Sequence, residues 1–562
     1  MTEESYDLVV VGAGWFGLAA AKACTQMLPL KDFAVFESAE SCGGTWSKNR
    51  LYPGLKSNNM VGTYEYPDFP MTEEKYGLKP NSHIPGAVLH RYLTDFAHHF
   101  GFFDRIRFRT KVDVVEPTGD GSWTLTVTGP EGTQRTVRAA KLVLATGLTS
   151  TPNMPVYKGS ETFGAPLFHA KDFCREAPNL KHIKNTIVVG GAKSAFDVAY
   201  AMVQAGSTVD LVIRDDGHGP VWITPAFVTP FKKRLDQLLL IRWMTFFSPC
   251  PWGEQDGYPR IRRFLHGTYF GRLIVDFFWK MLASDVVEAN AYDHHPEMKK
   301  LKPWNAAFWI GSGLSILNYD SSLFDLVREG KIRVHIGQID RLEPNKVVLA
   351  DGTVLNADLM VCSTGWKKES PIKFQGLGPN GFGLDFAADE MEALRTKAND
   401  DVLTMFPRLR DQPKLRFQQK TAEPLRLYRF MVPSAFVFER TLAFAGAISS
   451  VSTSSCATVQ GHWIAAYLAN GLDRMPSSRQ EITDEIMLHT QWGRWRYPCG
   501  YGASLPDFVF EGVPYMDMLL RDLGLSNRRK GGWFKELTSP YLPREFRGLV
   551  EEWKASHDVP LK

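Results

Sequence analysis

Residues 6–17 read YDLVVVGAGWFG, and LAAAKACTQML follows them. The first part is a short β-branched run of the kind a buried parallel strand shows, and the last has helix-forming composition. Between them lies Gly-x-Gly-x-x-Gly. In such a turn Gly12 allows the tight bend, Gly14 lets the backbone approach a pyrophosphate, and Gly17 brings helix and strand close. The helix N-terminus offers unpaired N–H groups and positive potential to phosphate.

A second strand, FAVFE, ends at Glu37, about 20 residues after the last glycine, where a carboxylate can accept hydrogen bonds from both ribose hydroxyls of an adenosine. That acid would repel a 2′-phosphate, so the site suits FAD and excludes NADP.

The same logic recurs at 187–195, IVVGGAKSA. Gly190 is kept, Ala192 stands in place of the second glycine, and Ala195 occupies the permissive third position. Lys193 and Ser194 open the helix. The next strand, TVDLVIR, ends in Arg214 instead of an acid, and a guanidinium there can grip a 2′-phosphate. Gly190, Lys193, Ser194 and Arg214 are therefore the candidate NADPH residues. Read as surface, Lys193 and Arg214 are solvated cations.

The 562 residues exceed one core and suffice for two or three domains. The 65 basic and 61 acidic side chains leave a net charge of +4 without a clustered basic stripe, which argues against nucleic acid. Seven cysteines form no CxxC and no His-paired spacing, so neither a disulfide framework nor a metal site is expected and a reducing compartment fits. The first strand begins too early for a signal peptide, and no apolar run approaches 18 residues. The expectation is a cytoplasmic protein.

Just past Glu37 stands CGGTWSKNRLYPGLKSNN, residues 42–59. Here the chain resembles the class B flavin monooxygenases, which comprise the flavin-containing and the Baeyer-Villiger monooxygenases. Gly43, Gly44, Thr45 and Trp46 match both branches. Asn49, Arg50 and Tyr52-Pro53-Gly54 resemble the Baeyer-Villiger branch, although Leu51 is extra and Ser57-Asn58 replaces the usual Cys-Asp. Asn58 instead resembles the flavin-facing asparagine of the flavin-containing branch, implying a catalytic role in stabilising a peroxyflavin.

The resemblance extends to TKV at 110–112, whose backbone, at Val112, would contact adenine, and to LVLATG at 142–147, with Gly147 on FAD and Pro152 and Pro155 beyond. The interdomain fingerprint is degenerate here as FGAPLFHAKDFC, with Phe163, His169 and Phe173 kept but Ala165 and Cys174 substituted. Its histidine reads as a domain-motion latch, not an acid-base catalyst. VVLADGTVLNADLMVCSTGW, 347–366, reads as two strands around an Asp351-Gly352 hairpin turn, then a second domain crossing. RTLAFAGAISSVSTSSCATVQGHWIAAYLANG, 440–471, reads as strand, small-residue loop and a helix stopping at Asn470-Gly471. In the family that helix points its N-terminus at the flavin, making Thr458 and Gln460 candidate neighbours.

The expected fold is α/β, with two Rossmann-like dinucleotide-binding domains and a largely helical insertion in the second. The FAD domain takes 1–150 and 367–562 with a C-terminal extension, the NADPH domain 151–217 and 331–366, and the aromatic-rich insertion 218–330. Those aromatics suit core, an apolar substrate pocket or a membrane surface. The resemblance implies that NADPH reduces FAD, that O2 is captured as a C4a-(hydro)peroxyflavin, and that one oxygen atom passes to a small organic substrate, in specialised metabolism. Lys302-Pro303 in place of Arg-Pro, and Phe173-Cys174 in the fingerprint, favour nitrogen or sulfur oxygenation over Baeyer-Villiger oxidation of a ketone. Other classes to weigh are a flavin disulfide reductase, which the absence of CxxC disfavours, an NADPH oxidase, and a non-enzymatic flavoprotein.

Overall fold

The computed structural model describes residues 4–228, 232–311, 313–377, 384, 386–418 and 423–557. Its first strand, Glu4–Val11, lies inside an eight-stranded sheet. Leu8, Val9 and Val10 are wholly buried, as the continuous apolar run requires of a strand covered on both faces. Parallel neighbours are Phe33–Phe36 on one side and Gln134–Leu144 on the other.

The long strand Gln134–Leu144 divides the sheet. Its first half pairs antiparallel with Trp123–Thr128, itself antiparallel to Lys111–Pro117, while Leu142–Leu144 pair parallel with Leu442–Phe444. Burial along it changes accordingly, from partly exposed to fully buried. The chain thus comes back from residue 442 to complete the sheet it began at residue 4.

A second sheet is parallel throughout, in the order Ile332–Ile336, Thr208–Ile213, Asn185–Val189, Leu359–Cys362, Leu167–His169. This is the expected α/β architecture with two dinucleotide-type sheets. The Asp351-Gly352 turn forms between Lys346–Leu349 and Val354–Asn356, with Gly352 at φ +88°. The two crossings between sheets pair with each other: Asn153 N donates to Gly365 O at 3.0 Å, and Pro152 and Trp366 form a β-bridge.

Residues 218–330 carry the helices Pro259–Gly267 and Tyr269–Ala289, together with a parallel two-strand pair, Trp222–Thr224 and Leu314–Ile316. The helix Thr453–Leu468 is buried along nearly its whole length. It packs on the first helix, Trp15–Met27, so closely that a Cβ at Gly461 would lie 2.8 Å from Ala19 O. It ends as the sequence suggests, with Asn470 left-handed at φ +57° and Gly471 N donating to Ala466 O at 2.8 Å. Among the described residues no helix is long and apolar enough to cross a membrane.

Three buried histidines contribute to the acid limb of stability. Burial lowers His266 and His489 to about 3 and His462 to about 4. Each is neutral when folded, whereas the unfolded chain takes up the proton near the ordinary value of about 6.5. Their contribution is therefore complete above about pH 6.5 and falls as pH drops toward 4, by about 1.4 kcal/mol per pH unit per histidine, while Glu485 and Asp517, whose carboxyls burial pushes up to about 7 and about 6, act in the opposite sense. His489 packs against Trp252 and Phe430. In His489→Phe, the loss of stability between pH 6.5 and 4.5, read from denaturant melts, should shrink by about that slope; an unchanged slope would contradict the assignment.

Candidate functional site

The first turn is built around its own backbone. Gly12 sits at φ +110°, where a Cβ would lie 2.4 Å from Ala145 O, and a Cβ at Gly17 would lie 1.9 Å from Gly12 O. Gly14 differs. Its backbone, φ −87° and ψ −171°, suits any residue, and the nearest atom to a Cβ there is Gly44 Cα at 3.6 Å. The protein does not need that position to be glycine, but a ligand approaching the helix N-terminus would.

Glu37 is buried beside this turn. Its Oε2 accepts from Ala13 N and its Oε1 from Ala39 N, both at 2.7 Å. Its own N–H donates to Arg107 O and its carbonyl accepts from Thr110 N, which brings the strand carrying Val112 alongside. Gly43 N donates to Ala13 O at 2.8 Å and so anchors a short 3-10 turn, Gly44–Trp46, over the glycines. Thr45 is exposed, and Trp46 Nε1 donates to the Tyr64 hydroxyl at 3.1 Å. Gly147 has open space where a Cβ would go. It lines a cavity of about 1110 Å³ with Thr146, Phe386, Arg395, Arg426 and Gly446, at the carboxyl ends of strands 134–144 and 442–444. Open α/β sheets take their ligands at such ends. Gly12, Gly14 and Glu37 lie outside its lining.

The strand Lys56–Met60 points Asn58 and Asn59 to opposite sides. Asn59 Nδ2 donates to Val451 O at 3.2 Å, tying this strand to the entrance of the Thr453–Leu468 helix. The Asn58 amide has no hydrogen-bond partner among the described residues. Ser452, the residue at that helix's N-cap, is 4% exposed, makes no capping bond, and its Oγ is buried without a partner. Buried polar atoms of this kind call for an occupant. The unpaired helix N–H groups and Ser452 Oγ together fit an anionic ring edge, such as the flavin pyrimidine.

Two suggested neighbours are otherwise engaged. Gln460 accepts from Gly446 N at 2.9 Å and donates to the Tyr515 hydroxyl at 2.8 Å, so it holds the loop after strand 442–444. Thr458 Oγ1 bonds back to Ser454 O. Neither offers a free polar group to a ligand.

In the second turn Gly190 packs on the Ser363 carbonyl, and Ala192 takes φ −91° and ψ 172°, close to the backbone of Gly14. The alanine methyl is therefore unstrained within the protein, but it keeps a pyrophosphate from approaching this helix as closely as Gly14 allows in the first turn, so a dinucleotide here depends more on Arg214. Ser194 is exposed at the helix start. Arg214 is 59% exposed on its side chain, and its guanidinium lies 3.6 Å from Asp216. Lys193 turns elsewhere: it pairs with Asp197, donates to Asn318 Oδ1 at 2.9 Å and lies over the Tyr319 ring. Asn318 Nδ2 in turn donates to Lys56 O at 3.0 Å and Ser57 O at 3.2 Å, which links the second turn to the Asn58 strand.

The joint between the two units gathers Arg50, His169 and Trp366. Arg50 donates to Thr149 O and stacks over Trp366, and His169 meets the same ring edge-on at 5.0 Å. His169 Nδ1 accepts from Lys171 N, so Nε2 carries the proton donated to Gly365 O at 2.9 Å. Burial holds its pKa below the ordinary histidine value. Both nitrogens are committed, which suits a joint and leaves no proton to exchange. Lys302 lies at the surface, paired with Asp293.

These features define a flavoprotein of the two-dinucleotide class. The profile of the pyridine nucleotide-disulphide oxidoreductase family matches residues 9–242. An FAD-dependent monooxygenase of Pyrenophora dematioidea is 35% identical over 93% of this chain and 99% of its own. The chain belongs to the FAD-dependent monooxygenases, of the class B flavin monooxygenase type. Cyclohexanone monooxygenase from Rhodococcus sp. Phi1, solved with NADP+, superposes with a TM-score of 0.60 at 18% identity, over 93% of this chain and 98% of that one. S-allyl-L-cysteine S-oxygenase from Allium sativum superposes at 0.53 and 14% identity, over 99% and 95%. Both are likenesses of fold. A ketone enzyme and a sulfur enzyme share it, so the fold does not choose between those chemistries.

Proposed function

We propose that the protein uses NADPH and O2 to insert one oxygen atom into a small organic substrate, with nitrogen or sulfur oxygenation favoured, in specialised metabolism and in a reducing compartment such as the cytosol. The flavin, when bound, supplies the electron transfer and, as the C4a-(hydro)peroxyflavin, the oxygen that is passed on. The observation that carries this reading is the joint. Arg50, Trp366 and His169 hold the two crossings between the sheets together, and Asn318 ties Lys193 of the second turn to the Asn58 strand, which supports two nucleotide sites working on one another.

In this reading residues 1–150 and 367–562 hold FAD, and 151–217 with 331–366 hold NADPH. Gly12, Gly14, Gly17, Glu37, Gly44, Thr45, Trp46, Asn58, Val112 and Gly147 form the FAD site; Gly190, Ser194 and Arg214 form the NADPH site, with Lys193 acting through Asn318. Asn58 donates a hydrogen bond at the reacting face without supplying a proton. The position resembling the ketone branch's cation, Lys302, is spent on Asp293 at the surface, which supports the heteroatom branch; Baeyer-Villiger oxidation is the alternative.

The test is to follow NADPH and O2 consumption by the purified protein with amine, sulfide and ketone probes. Amine or sulfide oxygenation is expected, and turnover of ketones alone would reverse the branch. Asn58→Ala should keep its FAD and its rate of reduction but release roughly tenfold more hydrogen peroxide per NADPH, since one charge-assisted hydrogen bond is worth about 1.5–3 kcal/mol. Unchanged coupling would remove Asn58 from the site.

A further inference from the structure

The aromatic-rich insertion leaves one face uncovered. Of the 21 residues in helix Tyr269–Ala289 only Gly271, Val275 and Phe278 are buried. Phe270, Leu273, Ile274, Phe277 and Met281, spaced i, i+3, i+4, i+7 and i+11, lie on one side of it and are 45–72% exposed. The preceding helix adds exposed Ile261 and Phe264. Trp533 and Phe534, 74% and 62% exposed, head a short helix that packs on the turn carrying Trp243. Single exposed apolar residues need no explanation, but a continuous stripe of them does.

This face is also a doorway. A cavity of about 360 Å³ lies behind it, walled by apolar side chains such as Leu239, Phe278, Leu282 and Phe510. Trp243 and Met281 line the cavity and are themselves 39% and 45% exposed, so the mouth opens on the stripe. At the inner end Leu314 packs in one cluster with Val451, the residue before Ser452 whose carbonyl Asn59 holds. The cavity therefore runs from the exposed face toward the helix entrance assigned to the flavin.

The flank of the stripe carries more bases than acids. Arg260, Lys280 and Lys535 on these helices, and Lys233 in the cavity lining, form no ion pair among the described residues; Asp285, which also lines the cavity, and Glu288 are the acids of the long helix in the same state. Long basic side chains can lie along an apolar stripe and lift their charges to its edge. Exposed Phe, Tyr and Trp bordered by Lys and Arg are the composition of a surface that sinks shallowly into the headgroup region of an anionic membrane. A protein partner on this face would seal the mouth, whereas a bilayer would keep it supplied.

We propose that this face docks on an anionic lipid bilayer and that the cavity behind it takes the apolar portion of a lipophilic substrate from that bilayer. The substrate half rests on the monooxygenase reading; the docking half does not. The test uses the full-length holoenzyme and sedimentation with vesicles of phosphatidylcholine, alone or mixed with phosphatidylserine, at low salt. The protein should sediment with the mixed vesicles and less with the neutral ones. Phe270→Asp combined with Phe277→Asp should cut the bound fraction at least about tenfold, while FAD content and substrate-free NADPH consumption stay unchanged.

The cavity is read separately with the apolar fluorophore N-phenyl-1-naphthylamine. Its signal should persist in the double variant and fall several-fold in Leu282→Trp, which fills the space. No vesicle binding by the parent, or equal binding by the double variant, overturns the docking. A solution dimer split by the same variant, without vesicle binding, makes the face a subunit interface and also overturns it. Fluorescence indifferent to Leu282→Trp in a protein that keeps its FAD overturns the cavity's role. Failure of the monooxygenase reading would appear elsewhere, as a protein with no flavin or no NADPH turnover.

Discussion

Gly14→Ala should fold normally and lose its FAD. At this position the backbone already suits alanine and the nearest protein atom leaves 3.6 Å for the methyl group, so the melting temperature of the FAD-free protein should stay within a few degrees of the parent. The methyl group instead occupies the path of a pyrophosphate. Crowding it costs about 1–3 kcal/mol, and each charge-assisted hydrogen bond lost from the helix N-terminus about 1.5–3 more, which together weaken FAD at least about a hundredfold. Gly17→Ala is the contrast: its Cβ would overlap Gly12 O, 1.9 Å away, so that variant should fail to fold. Flavin absorbance after gel filtration and thermal melts of the FAD-free proteins separate the two. A Gly14→Ala protein that keeps stoichiometric FAD would mean the dinucleotide lies elsewhere.

Arg214→Ala should raise the KM for NADPH about ten- to a hundredfold and leave that for NADH nearly unchanged. Arg214 is more than half exposed, and among the described residues its one ion-pair partner, Asp216, stands at 3.6 Å. Removing it therefore disturbs no packing, and the whole effect falls on a ligand carrying a 2′-phosphate. One charge-assisted pair to phosphate is worth about 1.5–3 kcal/mol, which gives the stated range. Lys193 cannot substitute, because Asp197 and Asn318 hold its ammonium. Equal effects on both coenzymes would sink the 2′-phosphate assignment.

Much of the frame was legible in the sequence because it is local. The strand-turn-helix at Gly12, the Asp351-Gly352 hairpin and the Asn470-Gly471 stop each depend on residues within a few positions of one another, and the acid at Glu37 lies a fixed 20 residues after Gly17. The joint was legible only in His169, read as a latch; its partners were not. Arg50 meets Trp366 across more than three hundred residues, and no spacing rule connects them. Ser452 read as one of several small residues; only the structure shows its hydroxyl buried without a partner. Gln460 read as a flavin neighbour, yet Gly446 and Tyr515 claim both ends of its amide. The helix Tyr269–Ala289 shows a different limit. Apolar residues at i, i+3, i+4 and i+7 mark one face of a helix, but the pattern is the same whether that face meets a core or remains outside it.

The central claim, that this chain shelters oxygen on a flavin reduced by NADPH, is tested most directly without any substrate. The FAD-loaded protein is reduced by NADPH under anaerobic conditions, mixed rapidly with oxygenated buffer, and followed by its absorbance. The expected result is an oxygenated flavin species that forms quickly, decays much more slowly, and releases hydrogen peroxide only as it decays. Direct return of oxidised flavin with immediate, stoichiometric peroxide, or no reduction by NADPH, would contradict it.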